Sequence, residues 1–397
     1  MGVVKAPYNN NIVSLNVVTA TIISRRLHLP RAWTPATHLY HSKRILAPSN
    51  ISNRNSLEFQ TSEKSNSAPL AILPISILLR SLFISNVISK PYLLNPSLSI
   101  LSFLSQPVKI SLLSIDSNPF LRWLVKRLLY NQFCTGENAA DVKKTMNQMH
   151  KFGFLGVILR YAKETTSDHK TKKSEVPGSP LQQTHTAEKG KCVEIESWRA
   201  GTLRTVYMTS NGDKVALKLT GAGPIVTAAL ATGDLPPKHM LDALDEICLA
   251  VRETKAQIIV DAELQRFQKG IARTAVMLMR KYNTEKSPLV TQTYQCYLKN
   301  KRSYLWKSLA KASKEGWSIG VKLVRGAYIV TEERSRIHDT KEDTDNAYYG
   351  LVRDVLRHNG GSFGGLGKLG NTPFPKSAVL LATHNRNSVM KAHKLHQ

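Results

Sequence analysis

Acidic residues are missing from the first 57 positions of this 397-residue chain; Glu58 is the first. The same stretch holds seven basic residues, among them Arg25, Arg26, Arg31, Lys43 and Arg44, set among Ser, Thr and Leu. That is the composition of a mitochondrial transit peptide, and its apolar residues never gather into the compact core of a secretory signal. Cysteine is sparse. Cys134, Cys192, Cys248 and Cys296 stand far apart with no Cys-x-x-Cys pair, so neither a zinc site nor a disulfide framework is indicated and no metal is expected. There is no Gly-x-Ser-x-Gly, no His-Glu-x-x-His and no Gly-x-Gly-x-x-Gly after the first strand. Serine hydrolases, zinc proteases and nicotinamide dehydrogenases are disfavoured accordingly. Gly361–Gly370 is glycine-rich, but Leu369 follows Lys368 where a Walker loop needs Ser or Thr, so it reads as a flexible loop.

A clean membrane span is missing too. Residues 68–130 are markedly apolar, yet Lys90, Pro91, Pro96 and Pro107 interrupt them before about 20 residues accumulate. They read as an apolar helical arm that packs on a larger body or lies on a membrane face, and Leu121–Tyr130 has the spacing of an amphipathic helix. Basic residues number 55 against 28 acidic ones, a formal charge of +27. Such a balance suits nucleic acid or an anionic membrane surface. No aromatic stripe or recognition motif accompanies it, so nucleic acid is not an expected partner. A basic membrane-surface or nucleic-acid-binding module remains as the non-enzyme alternative.

What is present is an alternation of helices and short apolar strands from residue 134 onward. Helices are expected at 137–150, 193–208, 236–251, 264–281, 301–315 and 343–356. Strands are expected at 156–162, 215–220, 257–263, 289–297, 320–328 and 377–385. A Lys-, Ser- and Thr-rich insertion at 163–190 reads as a mobile loop. Six β–α units with continuous apolar strands indicate an α/β protein with a parallel sheet. Polar groups at nearly every strand end favour a barrel, in which one site is shared around the ring.

Those strand-end residues are Lys218, Asp261 with Glu263, Gln295, Lys322 with Arg325 and Tyr328, and Thr383-His384-Asn385. Each has a plainer reading: a lysine reaching for an edge, a helix-capping aspartate, a satisfied core amide, a capping histidine. Together they specify a pocket for an anionic group, with an amide able to bond a heteroaromatic edge and an aromatic ring to pack on a substrate.

The ordered set Phe133–Asn138, Gly156–Glu164, Val215–Gly221, Asp261–Glu263, Tyr294–Leu298, Val321–Tyr328, His338–Tyr348 and Leu381–Arg386 resembles the mitochondrial proline dehydrogenases in their fungal form. The resemblance runs from about residue 68 to 392. It implies a distorted (β/α)8 TIM-type barrel, incomplete here after about six β/α units, preceded by an N-terminal helical region. The expected layout is a transit peptide and disordered region over 1–57, an apolar helical arm over 68–130 and a partial barrel over 131–397. It implies FAD held at the strand ends, oxidation of L-proline to Δ1-pyrroline-5-carboxylate, and electrons passed to a membrane quinone. The expected location is the matrix side of the mitochondrial inner membrane, with peripheral association. Lys218, Asp261 and Tyr328 are the implied proline-pocket residues, with Lys218 paired to Asp261. Gln295, Lys322, Arg325, Lys341, Thr383 and His384 are the implied flavin contacts. The family carries two further β–α units with a pair of arginines and a glutamate that clamp proline. Their lack before Gln397 leads to the expectation of poor folding and little turnover, with an inactive remnant or regulatory fragment as the alternative reading.

Overall fold

The computed structural model describes residues 13–14, 44–46, 72–104, 118–136, 138–161, 192–358 and 373–396. The insertion at 163–190, the glycine-rich stretch 361–370 and most of 1–57 lie outside the described residues. Six strands, β3 (Ile158–Tyr161), β4 (Lys214–Leu217), β5 (Gln257–Val260), β6 (Val290–Gln295), β7 (Ile319–Val324) and β8 (Ser377–Ala382), pair in parallel. Each lies beside its sequence neighbours. Two short strands, β1 (Val13–Ser14) and β2 (Arg44–Leu46), join antiparallel at opposite edges, on β3 and β8.

The strand order settles the architecture. Right-handed crossovers between strands added always on the same side put every helix on one face of the sheet. A doubly wound sheet must reverse its order somewhere; this one does not. The sheet therefore curves with helices outside, in the manner of a TIM barrel, and the expectation of an α/β barrel with about six β/α units is met.

Strand side chains alternate between the two faces. Val215, Leu217, Ile258, Val260, Val290, Tyr294, Val321, Leu323, Val379 and Leu381 belong to the large core between sheet and helices. Ile158, Ala216, Ile259 and Leu380 form a separate cluster on the inner face. With both faces covered, the strands read as unbroken apolar runs, which is why they were legible. Inward register then falls to Asp261, Gln295 and Lys322. Gly320 also faces inward and lets β7 approach β6. A Cβ there would lie 2.7 Å from both the Thr291 Cα and the Val290 carbonyl oxygen.

The outer helices are α6 (Val193–Val206), α7 (Pro224–Thr232), α8 (Lys238–Glu253), α9 (Gln265–Tyr282), α10 (Lys301–Glu315), α11 (Lys341–Leu356) and α12 (Arg386–His396). Helix α5 (Ala139–Lys151) precedes β3 and packs Val142 and Met146 on Val157 and Leu159. Helices α8 and α9 bury apolar faces typical of a barrel's outer layer, including Leu244, Ile247 and Val251 on one and Ile271, Ala275 and Leu278 on the other. Helix α7 was not expected from the pattern, although its punctuation is visible. Pro224 occupies the first turn, where no N–H is needed. Gly233 closes it at φ 84°, a left-handed cap that favours glycine.

One expectation needs correction. Gly320–Tyr328 is a strand only to Val324; Arg325 to Tyr328 form the loop above it. The chain leaves the sheet where Gly326 passes the Tyr297 ring so closely that no side chain would fit. The stretch 121–130 is helical, as α3 (Pro119–Val125) and a π-helical turn (Lys126–Tyr130) that runs into the short α4 (Asn131–Phe133). It is two-sided, as its spacing predicts: Leu121, Leu124, Val125, Leu128 and Leu129 are half-buried, while Arg122, Trp123, Lys126 and Arg127 are exposed.

The arm stands apart in character. Helices α1 (Ile75–Ser89) and α2 (Pro91–Leu104) meet at a 103° bend. Of the residues in α1 only Ile84 is buried, while Leu79, Leu82, Phe83, Tyr92, Leu98 and Ile100 are exposed. No single helix among the described residues is long and apolar enough to cross a membrane.

Candidate active site

The strand ends hold two linked clusters. The first lies on the inner face. Lys322, in the middle of β7, extends its Nζ to 2.8 Å from Asp261 Oδ1 just past β5, with side chains only 7% and 14% exposed. A lysine so buried needs a compensating charge, because uncompensated burial of an ammonium costs several kcal/mol. The pair is thus fixed both by register and by electrostatics. The resemblance set Lys218 beside Asp261; the ion pair that Asp261 makes is with Lys322. Lys218 is half-buried one residue beyond β4, and its carbonyl accepts from the Trp198 indole at 3.2 Å.

Glu263, two residues beyond Asp261, is buried. One carboxylate oxygen accepts the Thr220 N–H at 3.2 Å and the other accepts the Thr220 hydroxyl. Burial pushes its carboxyl above the ordinary glutamate range, opposed by the Thr220 bonds and then by the positive charge of Lys218. Gln295 is 1% exposed and spans three strand ends. Its Nε2 donates to the Glu263 carbonyl at 3.0 Å and its Oε1 accepts the Ala327 N–H at 3.2 Å. It therefore ties the loop after β5 to the loop after β7 and sets the height of Tyr328. Tyr328 is half-buried in that loop, and its carbonyl accepts the N–H groups of Thr331 and Glu332 at 3.0 Å each. Glu332 in turn accepts the Gln265 N–H at 2.7 Å, fastening the loop to the start of α9.

The second cluster sits at the ends of β7 and β8. Arg325 donates from Nε to Asp345, from one terminal nitrogen to Thr383 Oγ1 at 2.9 Å and from the other to Ser388 Oγ at 3.0 Å. Its guanidinium also lies 4.5 Å from the centre of the Tyr348 ring and 5.8 Å from that of Tyr349, a cation–π arrangement. Lys341, at the start of α11, reaches the other oxygen of Asp345 at 2.7 Å, one turn along the helix. Asp345 is held below the usual carboxylate range, chiefly by Lys341 and then by Arg325, against the effect of burial. Thr383 is buried and also accepts the Asn385 N–H at 3.1 Å, while His384 is exposed.

Six of the nine implied site residues are thus held in these networks: Asp261 with Lys322, Arg325 with Thr383 directly and with Lys341 through Asp345, and Gln295 bracing the loops between. Asp345, Ser388, Thr220 and Glu332 were missed. For Asp345 the signal was present, since it lies four residues after Lys341 on a helix, where opposite charges meet. Ser388 and Glu332 act across 63 and 67 residues of chain respectively and carry no local signal.

The cations Arg325 and Lys341 lie beside the N-terminal ends of α12 and α11; the start of α11 is closed by the Thr340–Asp343 capping box and carries Glu342 and Asp343 in its first turn. The buried pair sits deeper, on the inner face. Chemically the arrangement offers a long anionic ligand a basic shelf at one end and a charge-balanced floor at the other.

A family model described as proline dehydrogenase matches residues 142–397. The probable mitochondrial proline dehydrogenase of Schizosaccharomyces pombe is 27% identical over 352 residues, covering 79% of this chain and 70% of that one. The mitochondrial proline dehydrogenase 1 of Homo sapiens is 33% identical over 178 residues, covering 42% of this chain and 27% of the human one. Among solved structures, proline utilization A from Bdellovibrio bacteriovorus is similar at a TM-score of 0.49 and 15% identity, over 70% of this chain and 28% of that one. With the family model spanning well over half its length, the chain belongs to the proline dehydrogenase family of enzymes.

Proposed function

We propose that this protein works in the mitochondrion as an FAD-dependent proline dehydrogenase. In this reading it oxidises L-proline to Δ1-pyrroline-5-carboxylate and delivers the electrons to a membrane quinone. The observation that carries the reading is the inward ion pair of Lys322 and Asp261, 2.8 Å apart beneath the Tyr328 loop. It places fixed, buried charge where a barrel enzyme keeps its chemistry.

The residues present fit FAD. Arg325 and Lys341 form a cationic shelf joined by Asp345, and such a pair of cations suits a pyrophosphate. When bound, the flavin supplies the acceptor for the two electrons and hydrogen removed from the carbon beside the proline nitrogen. Lys322 would supply positive charge on the inner face, which would favour a reduced, anionic flavin held there. Asp261 holds that lysine in place through the 2.8 Å ion pair. Tyr328, at the height set by Gln295, packs on the proline ring, and Lys218 supplies a cation on the β4 side of the same mouth. Thr383 and His384 border the shelf at the β8 end.

The arm supports delivery of electrons to a membrane pool. Residues 64–115 contain no acidic residue and include Lys64, Arg80, Lys90 and Lys109. Apolar side chains exposed along α1 and α2 with basic residues among them suit peripheral attachment to an anionic lipid surface. In the same reading, residues 1–57 are the targeting presequence and the site faces the matrix side of the inner membrane.

The test is the absorption spectrum of the purified chain together with proline-dependent dye reduction. Flavin bands and turnover that requires proline are expected. A colourless protein that takes up no added FAD and reduces no dye would overturn the reading.

A further inference from the structure

On the outer side of the β6 end, between α10 and α11, lies a cavity of about 540 Å³ that the strand-end chemistry does not use. Side-chain alternation separates the two places. Gln295 points inward to the candidate active site, so Cys296 next to it points outward and forms part of the cavity wall. The volume is in the range of small-molecule sites.

The charged groups around it are unevenly satisfied. Lys299 pairs with Asp339 at 3.1 Å, Arg302 with Asp354 at 2.6 Å, and Asp343 with the Thr340 hydroxyl at 2.7 Å. Lys301 is different. It is 5% exposed, lines the cavity, and among the described residues has no hydrogen-bond or ion-pair partner; its Nζ lies 5.1 Å from the centre of the Tyr304 ring. Burial pushes its ammonium down to about 8, with Glu332 opposing that effect from a distance. A largely buried cation without a protein oxygen beside it must find its partner in the cavity, as water or as a ligand.

A second observation converges on the same point. Lys301 is the first residue of α10, a 15-residue helix whose cap position, Asn300, makes no side-chain bond to it. The neighbouring helix α11 is closed by a full capping box of Thr340 and Asp343. The start of α10 thus faces the cavity with its N–H groups uncapped by any side chain.

We propose that this cavity is a second ligand site, which takes a small metabolite bearing an oxyanion, carboxylate or phosphate. The anionic group would sit between Lys301 and the start of α10, and the rest of the ligand against Leu298, Ala347 and Leu351. The inference does not depend on the proposed redox function.

The experiment is isothermal titration calorimetry on the full chain, with inorganic phosphate in one arm and glutarate in the other, at constant ionic strength. Binding near one equivalent is expected in at least one arm, which also identifies the anion class. Lys301→Met should weaken it tenfold or more, while Lys238→Met, a change on the exposed face of α8, should leave it unaltered. Ala347→Phe keeps every charge but fills the cavity, and it should abolish binding with an unchanged circular dichroism spectrum. No uptake in either arm, or uptake untouched by both Lys301→Met and Ala347→Phe, would overturn the proposal. So would uptake that disappears on loading with FAD, since the anion would then belong to the strand-end site.

Discussion

The barrel and the N-terminal arm are both rich in apolar residues, yet they use them in opposite ways. In the barrel, helices such as α9 turn one face inward, burying Ile271, Ala275 and Leu278 against the sheet. In the arm, α1 buries only Ile84 and leaves Leu79, Leu82 and Phe83 in the open. Hydrophobicity alone therefore says little about burial; what counts is whether a second layer exists to cover it. The charges differ as well. At the strand ends Lys322, Arg325 and Lys341 each have a carboxylate partner, whereas Lys64 and Lys109 lie in a stretch of 52 residues, 64–115, with no acid. The barrel's polar groups are preorganised by one another, while the arm's composition calls for an outside surface.

Four outcomes would sharpen or break that contrast. The largest effect is expected from Asp261→Asn, which strands the buried Lys322 ammonium. It should destabilise the fold by about 3–5 kcal/mol and lower proline-dependent dye reduction at least about a hundredfold. Chemical denaturation and steady-state kinetics would check both. A change of less than threefold in turnover would remove the pair from the chemistry.

Next comes the arm. Phe83→Ser together with Leu79→Ser should reduce binding to anionic-lipid vesicles by tenfold or more, since each side chain carries about 1.5–3 kcal/mol of transfer free energy. Stability of the barrel should stay within about 0.5 kcal/mol. Equal loss of stability would show that the arm is part of the core after all. Flotation with the vesicles and a denaturant midpoint give the two readouts.

A smaller effect is expected at Asp345, because Arg325 keeps its bonds to Thr383 and Ser388. Asp345→Asn should cost about 1–2 kcal/mol near neutral pH. The folded carboxyl lies below its unfolded value, so its contribution is present above the unfolded pKa and fades as the pH falls through the folded one. The gap between wild type and variant should therefore close in acid. A gap that widened on acidification would contradict the pairing.

The smallest change should come from Glu263→Gln. Burial raises this carboxyl, so its folded form resists ionisation. Wild-type stability is highest below the unfolded pKa and declines as pH rises through the folded one. The amide can still accept from the Thr220 N–H and lacks that decline. At neutral pH the variant should match or slightly exceed wild type in thermal midpoint, and the difference should shrink as the pH is lowered.

Much of the barrel was visible in the residues because strands buried on both faces leave continuous apolar runs, as in Gln257-Ile-Ile-Val and Ser377-Ala-Val-Leu-Leu-Ala. The inward placement of Lys322 follows from the same alternation. Less visible was where each strand stops. Arg325 and Tyr328 looked like strand residues because β-branched neighbours precede them, yet the close approach of Gly326 to Tyr297 turns the chain away. Helix α7 was hidden by its short length, and α12 by its position at the end of the pattern.

The sequence by itself determined the periodicity, the order of the β–α units and the residue types at the strand ends, because these depend on neighbours a few positions apart. Only the tertiary structure decided which charges meet. Asp261 pairs with Lys322 across 61 residues, Arg325 is gripped by Asp345, Thr383 and Ser388, and Lys301 is left without an oxygen partner among the described residues. Ion pairing depends on distances of a few ångströms between groups brought together by folding, and no local pattern in the chain encodes those distances.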